Sequence, residues 1–102
     1  MTFVFMYVTC RNEPEAAKIA TVLLQKKLIA CANIFPINSL YRWKGRIRKE
    51  KEVVMILKTL SAKASAVKKE IEKIHSYEIP CITEIKIKPN KEYGGWLKEQ
   101  FL

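Results

Sequence analysis

The chain has 102 residues, of which 49% are apolar and 28% charged, with a formal net charge of +9. That is one domain with one core, neither a disordered chain nor room for two domains. Its longest apolar stretch, near Phe3 to Val8, is far short of the ~20 residues that cross a bilayer, and neither a positive n-region nor a cleavage site flanks it, so a cytoplasmic protein is expected.

Thr2 to Val8 is apolar on both faces (Phe3, Phe5 and Tyr7 against Val4, Met6 and Val8), the pattern of a strand covered on both sides. Asn12 then offers an N-cap, Glu15 the return half of a capping box, and Pro14 sits in the first turn, where it is tolerated. Ala16, Ala20, Leu23, Leu24 and Leu28 recur at helical spacing, which predicts an amphipathic helix over Pro14 to Lys27.

Ala30 to Trp43 reads as one long strand. Lys44-Gly45 supplies the turn, and Ile47 to Leu60 returns. Strands usually run about 5–6 residues, so a hairpin of this length outreaches the sheet that one small domain can build. Pro36 cannot donate to a ladder, so a bend or bulge is expected near Pro36–Ser39. Ser61 is a second N-cap candidate, and Ala64, Val67, Ile71 and Ile74 mark a second helix ending near His75. Cys81, Thr83, Ile85 and Ile87 alternate with more polar neighbours as a fourth strand. Pro89-Asn90 closes it, and Glu92 to Phe101 predicts a short C-terminal helix.

The order β-α-β-β-α-β plus a terminal helix is the ferredoxin-like pattern: an α+β sandwich whose single antiparallel sheet carries both main helices on one face. The other face is expected to be bare and rich in bulky apolar side chains, which marks an interface with further copies.

Four segments resemble a known family: Ala30-Cys31-Ala32-Asn33-Ile34, then Tyr41-Arg42-Trp43-Lys44-Gly45, then Glu52 to Thr59, then His75-Ser76-Tyr77-Glu78-Ile79-Pro80. In order and spacing they are similar to the signature segments of the CutA1 divalent-cation tolerance family, across nearly the whole chain as one domain. The resemblance implies a tight homotrimer in which sheets face one another and the long hairpins extend neighbouring sheets. The trimer resembles that of the PII signalling proteins, whose clefts between subunits hold small effectors. It further implies a non-enzymatic link to divalent cations, with copper as a candidate ligand and no required cofactor.

The residues themselves offer two kinds of site. Copper(I) favours thiolates, and imidazole suits copper and zinc, so Cys31 and the lone histidine, His75, are the candidate ligands. Further ligands would come from Glu52, Glu84, Met55 or a neighbouring subunit. Cys10, Cys31 and Cys81 lack zinc-knuckle spacing, and Cys10 and Cys81 are expected to be small core residues. Tyr41, Trp43, Glu52, Lys58, Tyr77 and Glu84 suggest instead a cleft that binds a small anionic metabolite. Lys58 lies in an apolar strand and is expected to pair with Glu52 or Glu84. No nucleophile triad, HExxH, P-loop or GxGxxG motif supports an enzyme. The basic run from Arg42 to Lys51 admits phosphate contacts, but the aromatic face needed to read RNA is expected to be covered by other copies, so nucleic acid is not the expected partner.

Overall fold

A computed structural model describes residues 2–102. The elements are β1 (Phe3–Cys10), α1 (Glu13–Gln25), β2 (Cys31–Trp43), β3 (Arg46–Leu60), a short 3-10 turn (Ser61–Lys63), α2 (Ala64–Ile74), β4 (Ile82–Ile87) and α3 (Lys91–Glu99). The four strands form one antiparallel sheet in the order β2-β3-β1-β4.

The period-2 rule sorts the sheet into two faces. Val4, Met6, Val8 and Cys10 of β1 are buried, and across the ladder from the last three stand Leu57, Met55 and Val53 of β3. Against this face pack Ala16, Ile19, Ala20 and Leu23 of α1 and Ala64, Val67 and Ile71 of α2. Ile19 takes the core position for which Leu24 was a candidate; Leu24 is 43% exposed. Among the described residues the one buried polar side chain, Thr59, donates its hydroxyl to the Leu28 carbonyl at 2.6 Å.

The helix ends follow the local chemistry. Asn12 accepts the Glu15 N–H at 2.9 Å, as predicted for a cap, while Glu15 reaches one residue further back and accepts the Arg11 N–H at 2.9 Å. At the other end of α1, Lys27 adopts φ 56, and the bonds Lys27 N–H to Leu24 and Leu28 N–H to Leu23 form a Schellman motif with lysine where glycine is usual. Ser61 does not cap α2. It opens the 3-10 turn, and its hydroxyl accepts a hydrogen bond from Thr2 at 2.6 Å.

The second sheet face is not wholly bare. α3 packs over its Phe3 end, close enough that a Cβ on Gly94 would lie 3.3 Å from Pro89 and 3.6 Å from Phe3. Beyond α3 the face carries Phe5, Tyr7, Phe35, Ile37, Ile56 and Ile85, with Phe35 40% and Ile85 45% exposed.

The hairpin is as long as the sequence suggests, and straighter. Its ladder runs from Cys31–Lys58 to Trp43–Arg46 in one register, with no bulge near Pro36. β2 is the edge strand, where a proline nitrogen turned outward removes nothing from the ladder. Lys44 and Gly45 both have positive φ, as a two-residue hairpin turn with the right-handed strand twist requires. β1 stops pairing with β3 at Cys10–Val53, so the rungs from Ile37–Glu52 outward form a two-stranded ribbon roughly 20 Å long. This ribbon stretches the molecule to 45 × 24 × 20 Å.

Candidate functional site

Two elements meet where β1 ends. β1 leads into α1 through Arg11 and Asn12, and α2 ends at His75 beside the same point. Glu15, one turn into α1, ties them: its second carboxylate oxygen accepts the Ser76 N–H at 3.0 Å. Burial pushes the Glu15 carboxyl up, but hydrogen bonds from Ser76 and Arg11 outweigh it and hold the group below its ordinary value.

His75 is committed at both ring nitrogens. Nδ1 lies 3.1 Å from the Tyr77 N–H and so must accept, which assigns the proton to Nε2; that nitrogen donates to the Thr9 carbonyl at 2.8 Å. Tyr77 leans on the imidazole with ring centroids 4.8 Å apart, and its hydroxyl donates to Glu52 of β3 at 2.6 Å. Burial first, then the adjoining Glu52 carboxylate, push the Tyr77 phenol up. One relay thus joins β1, the exit of α2 and β3.

Behind it lies Cys10. Its Sγ, a Glu15 carboxylate oxygen and a His75 ring nitrogen lie within 4.8 Å of one another. Burial, reinforced by the charges of Glu15 and Glu52, pushes the Cys10 thiol up to about 12. Thiol, carboxylate and imidazole together are a donor set for copper or zinc. In the fold as it stands, however, the thiol keeps its proton and the other donors hold backbone groups, so a cation must displace a proton and at least one hydrogen bond.

In front of the relay, on the sheet face away from α1 and α2, is a groove of about 800 Å³. The outer hairpin lines one side with Tyr41, Trp43, Arg48, Glu50 and Glu52. The segment after α2 lines the other with Ser76, Tyr77, Glu78 and Ile79.

The structure therefore brings together four of the six expected cleft residues: Tyr41, Trp43, Glu52 and Tyr77. Lys58 and Glu84 lie elsewhere. Lys58 stands opposite Phe5 and Cys31, and its ammonium donates to the Tyr93 hydroxyl of α3 at 3.2 Å while lying 5.1 Å from that ring's centroid. Neither expected carboxylate serves it. Glu52 is engaged by Tyr77 six positions along the strand, and Glu84 sits opposite Met6, on the other face of the sheet.

Cys31 is half-buried opposite Lys58 and is not in the cluster with His75; within one chain the thiol beside the imidazole belongs to Cys10. Cys10 is buried as expected, but Cys81 is exposed at the groove's edge instead of lying in the core. Met55, the remaining ligand candidate, is fully buried in the core. Nothing in the sequence marks Arg11 or Glu50 for the groove; Arg48 is legible only as part of the basic run from Arg42 to Lys51, and Glu15 only through the capping pattern around Asn12.

Residues 4–100 match the family model described as CutA1 divalent ion tolerance protein. A divalent-cation tolerance protein CutA from Archaeoglobus fulgidus is 46% identical over 96 residues, covering 93% of this chain and 94% of that one. Its counterpart in Thermotoga maritima is 42% identical over 97% of this chain and 99% of its own length. Among solved structures, one described as a periplasmic divalent cation tolerance protein CutA from Archaeoglobus fulgidus superposes with a TM-score of 0.95 at 44% identity, covering 98% of this chain and 99% of that chain. With matching sequence, length and backbone, the chain belongs to the CutA1 divalent ion tolerance family.

Proposed function

We propose that the chain is a non-enzymatic, ferredoxin-like protein of the divalent-cation response that works as a homotrimer and takes up a thiophilic cation such as copper. The observation that carries the cation reading is the convergence of the Cys10 thiol, the Glu15 carboxylate and the His75 imidazole within 4.8 Å. Cys31 joins that reading as a ligand from another copy, because it lies on the sheet face that assembly would cover. The cation is cargo, and no resident cofactor is invoked.

The trimer is supported by the outer ribbon, which extends past its own sheet, and by the apolar side chains left on the face beyond α3. A two-stranded ribbon is at best marginally stable alone; a neighbouring copy supplies the missing partner. Three free thiols favour the cytoplasm as the compartment, and cell fractionation tests that directly. The match to a protein described as periplasmic makes that test necessary. No helix among the described residues is long and apolar enough to cross a membrane. A PII-like sensor holding an anionic metabolite in the groove is the weaker reading: Glu50, Glu52 and Glu78 face Arg11 and Arg48 there, and Arg48 is already paired with Glu50 at 3.0 Å.

The test is copper(I), copper(II) and zinc titration under reducing conditions, with native mass recorded, on the wild type and on Cys10→Ser, Cys31→Ser and His75→Ala. The proposal expects a trimer whose copper(I) binding weakens at least tenfold on loss of Cys10 or His75. Binding indifferent to all three substitutions refutes the site, and a monomer refutes the assembly.

A further inference from the structure

At the opposite end of the sheet, where β1 begins, β4 ends and α3 starts, lies a second cleft of about 570 Å³. Its floor is apolar: Phe3, Ile87, Pro89 and the backbone of Gly94 and Gly95. Lys86, Lys88, Lys91 and Lys98 border it, all exposed. Among the described residues none of these four forms an ion pair. The carboxylate nearest in sequence, Glu92, is not part of the lining and faces the Asn90 amide at 3.5 Å. Asn90 makes no side-chain bond to the first turn of α3, so the positive end of that helix adds to the lysine field.

Lys86 stands opposite Val4, so its side chain belongs to the other sheet face. The three remaining uncompensated lysines around an apolar hollow would repel one another and leave the hollow wet. An anion with an apolar body answers both. Lysine recognises phosphate as a point charge, and the volume falls within the roughly 300–1,000 Å³ typical of small-molecule sites. A concave site of this size favours a compact ligand over an extended polymer. We propose that the cleft binds a small phosphate ester, with its phosphates among Lys88, Lys91 and Lys98 and a planar apolar portion against Phe3 and Pro89. This site is separate from the Cys10 cluster and does not depend on it.

Calorimetric titration of the full chain with adenosine triphosphate, inorganic pyrophosphate and a single-stranded oligonucleotide tests the proposal. The variants are Lys88→Glu with Lys91→Glu, which reverses charge at the rim, and Gly95→Leu. A Cβ at Gly95 meets nothing within 4 Å, so a leucine there can fill open space in the cleft without displacing the fold. Saturable binding of the triphosphate, tighter than pyrophosphate and weakened at least tenfold in both variants, is the expected result. No saturable binding of either phosphate compound by the wild type overturns the proposal, as does binding that survives Gly95→Leu. Preferential binding of the oligonucleotide with a steep salt dependence, unchanged by Gly95→Leu, replaces the site with a polyelectrolyte surface and also overturns it.

Discussion

Cys10 makes the stability of this protein depend on alkaline pH in a way that can be calculated. Its thiol is fully buried and is moved from an ordinary 9.0 to about 12, first by burial and then by Glu15 and Glu52. Below pH 9 the thiol is protonated in both folded and unfolded chains, and the fold has its full stability. Above pH 9 the unfolded chain ionises while the folded one does not, so stability falls as pH rises until the folded thiol also ionises near 12. At about 1.4 kcal/mol per pH unit, the full window is worth about 4 kcal/mol per chain and the part below pH 11 about 3 kcal/mol. Guanidinium denaturation at one protein concentration, at pH 8 and pH 11, on the wild type and Cys10→Ala, isolates the effect. The alanine removes the titration and leaves a pH-independent packing loss of about 1 kcal/mol. The wild type should therefore lose about 3 kcal/mol more than the variant between the two pH values. Parallel losses would show that the thiol ionises without penalty, and the account of Cys10 as a buried, proton-holding donor would fail.

Tyr77→Phe should destabilise the chain by about 1–3 kcal/mol, because Glu52 loses its donor in a half-buried position; a denaturation midpoint equal to wild type would remove the relay from the structural account. Lys27→Gly and Lys44→Gly should each stabilise by up to about 1 kcal/mol, since both lysines hold positive φ that glycine adopts freely; thermal melting reads the change, and a lower midpoint would contradict it. With a thiol-specific reagent Cys81 should react first and Cys10 only on unfolding, followed by mass spectrometry of the labelled peptides. Rapid labelling of Cys10 in the native protein would refute its burial.

The sequence carried the architecture because periodicity and capping are local. The double-sided apolar pattern of β1, the stripe of α2 and the Lys44-Gly45 turn each fix an element without reference to the rest, and they appear where expected. The site was less legible because its residues meet through parity and closure. Whether Lys58 can reach Glu84 depends on which face β4 presents, and that follows from pairing Phe5 with Ile85 instead of with a neighbour. Cys31 was the prominent cysteine because it opens a motif. Cys10 is the one that lies beside the imidazole because the start of α1 and the exit of α2 close over it, and no spacing rule expresses that. Pro36 misled in the other direction: the bulge rule assumes an interior strand, and β2 lies at an edge.

The bond from His75 to Thr9 joins positions 66 residues apart, and the bond from Ser76 to Glu15 joins positions 61 apart. Contacts that distant impose a loop-closure cost before they return any stabilisation, so they form after the local hairpin and helices are in place. The floor of the groove and the donor cluster behind it thus exist only once β1, the start of α1 and the exit of α2 have come together. A cation that needs Cys10, Glu15 and His75 together therefore meets its ligands only on a finished subunit, and a chain still folding has no competing version of the site to offer.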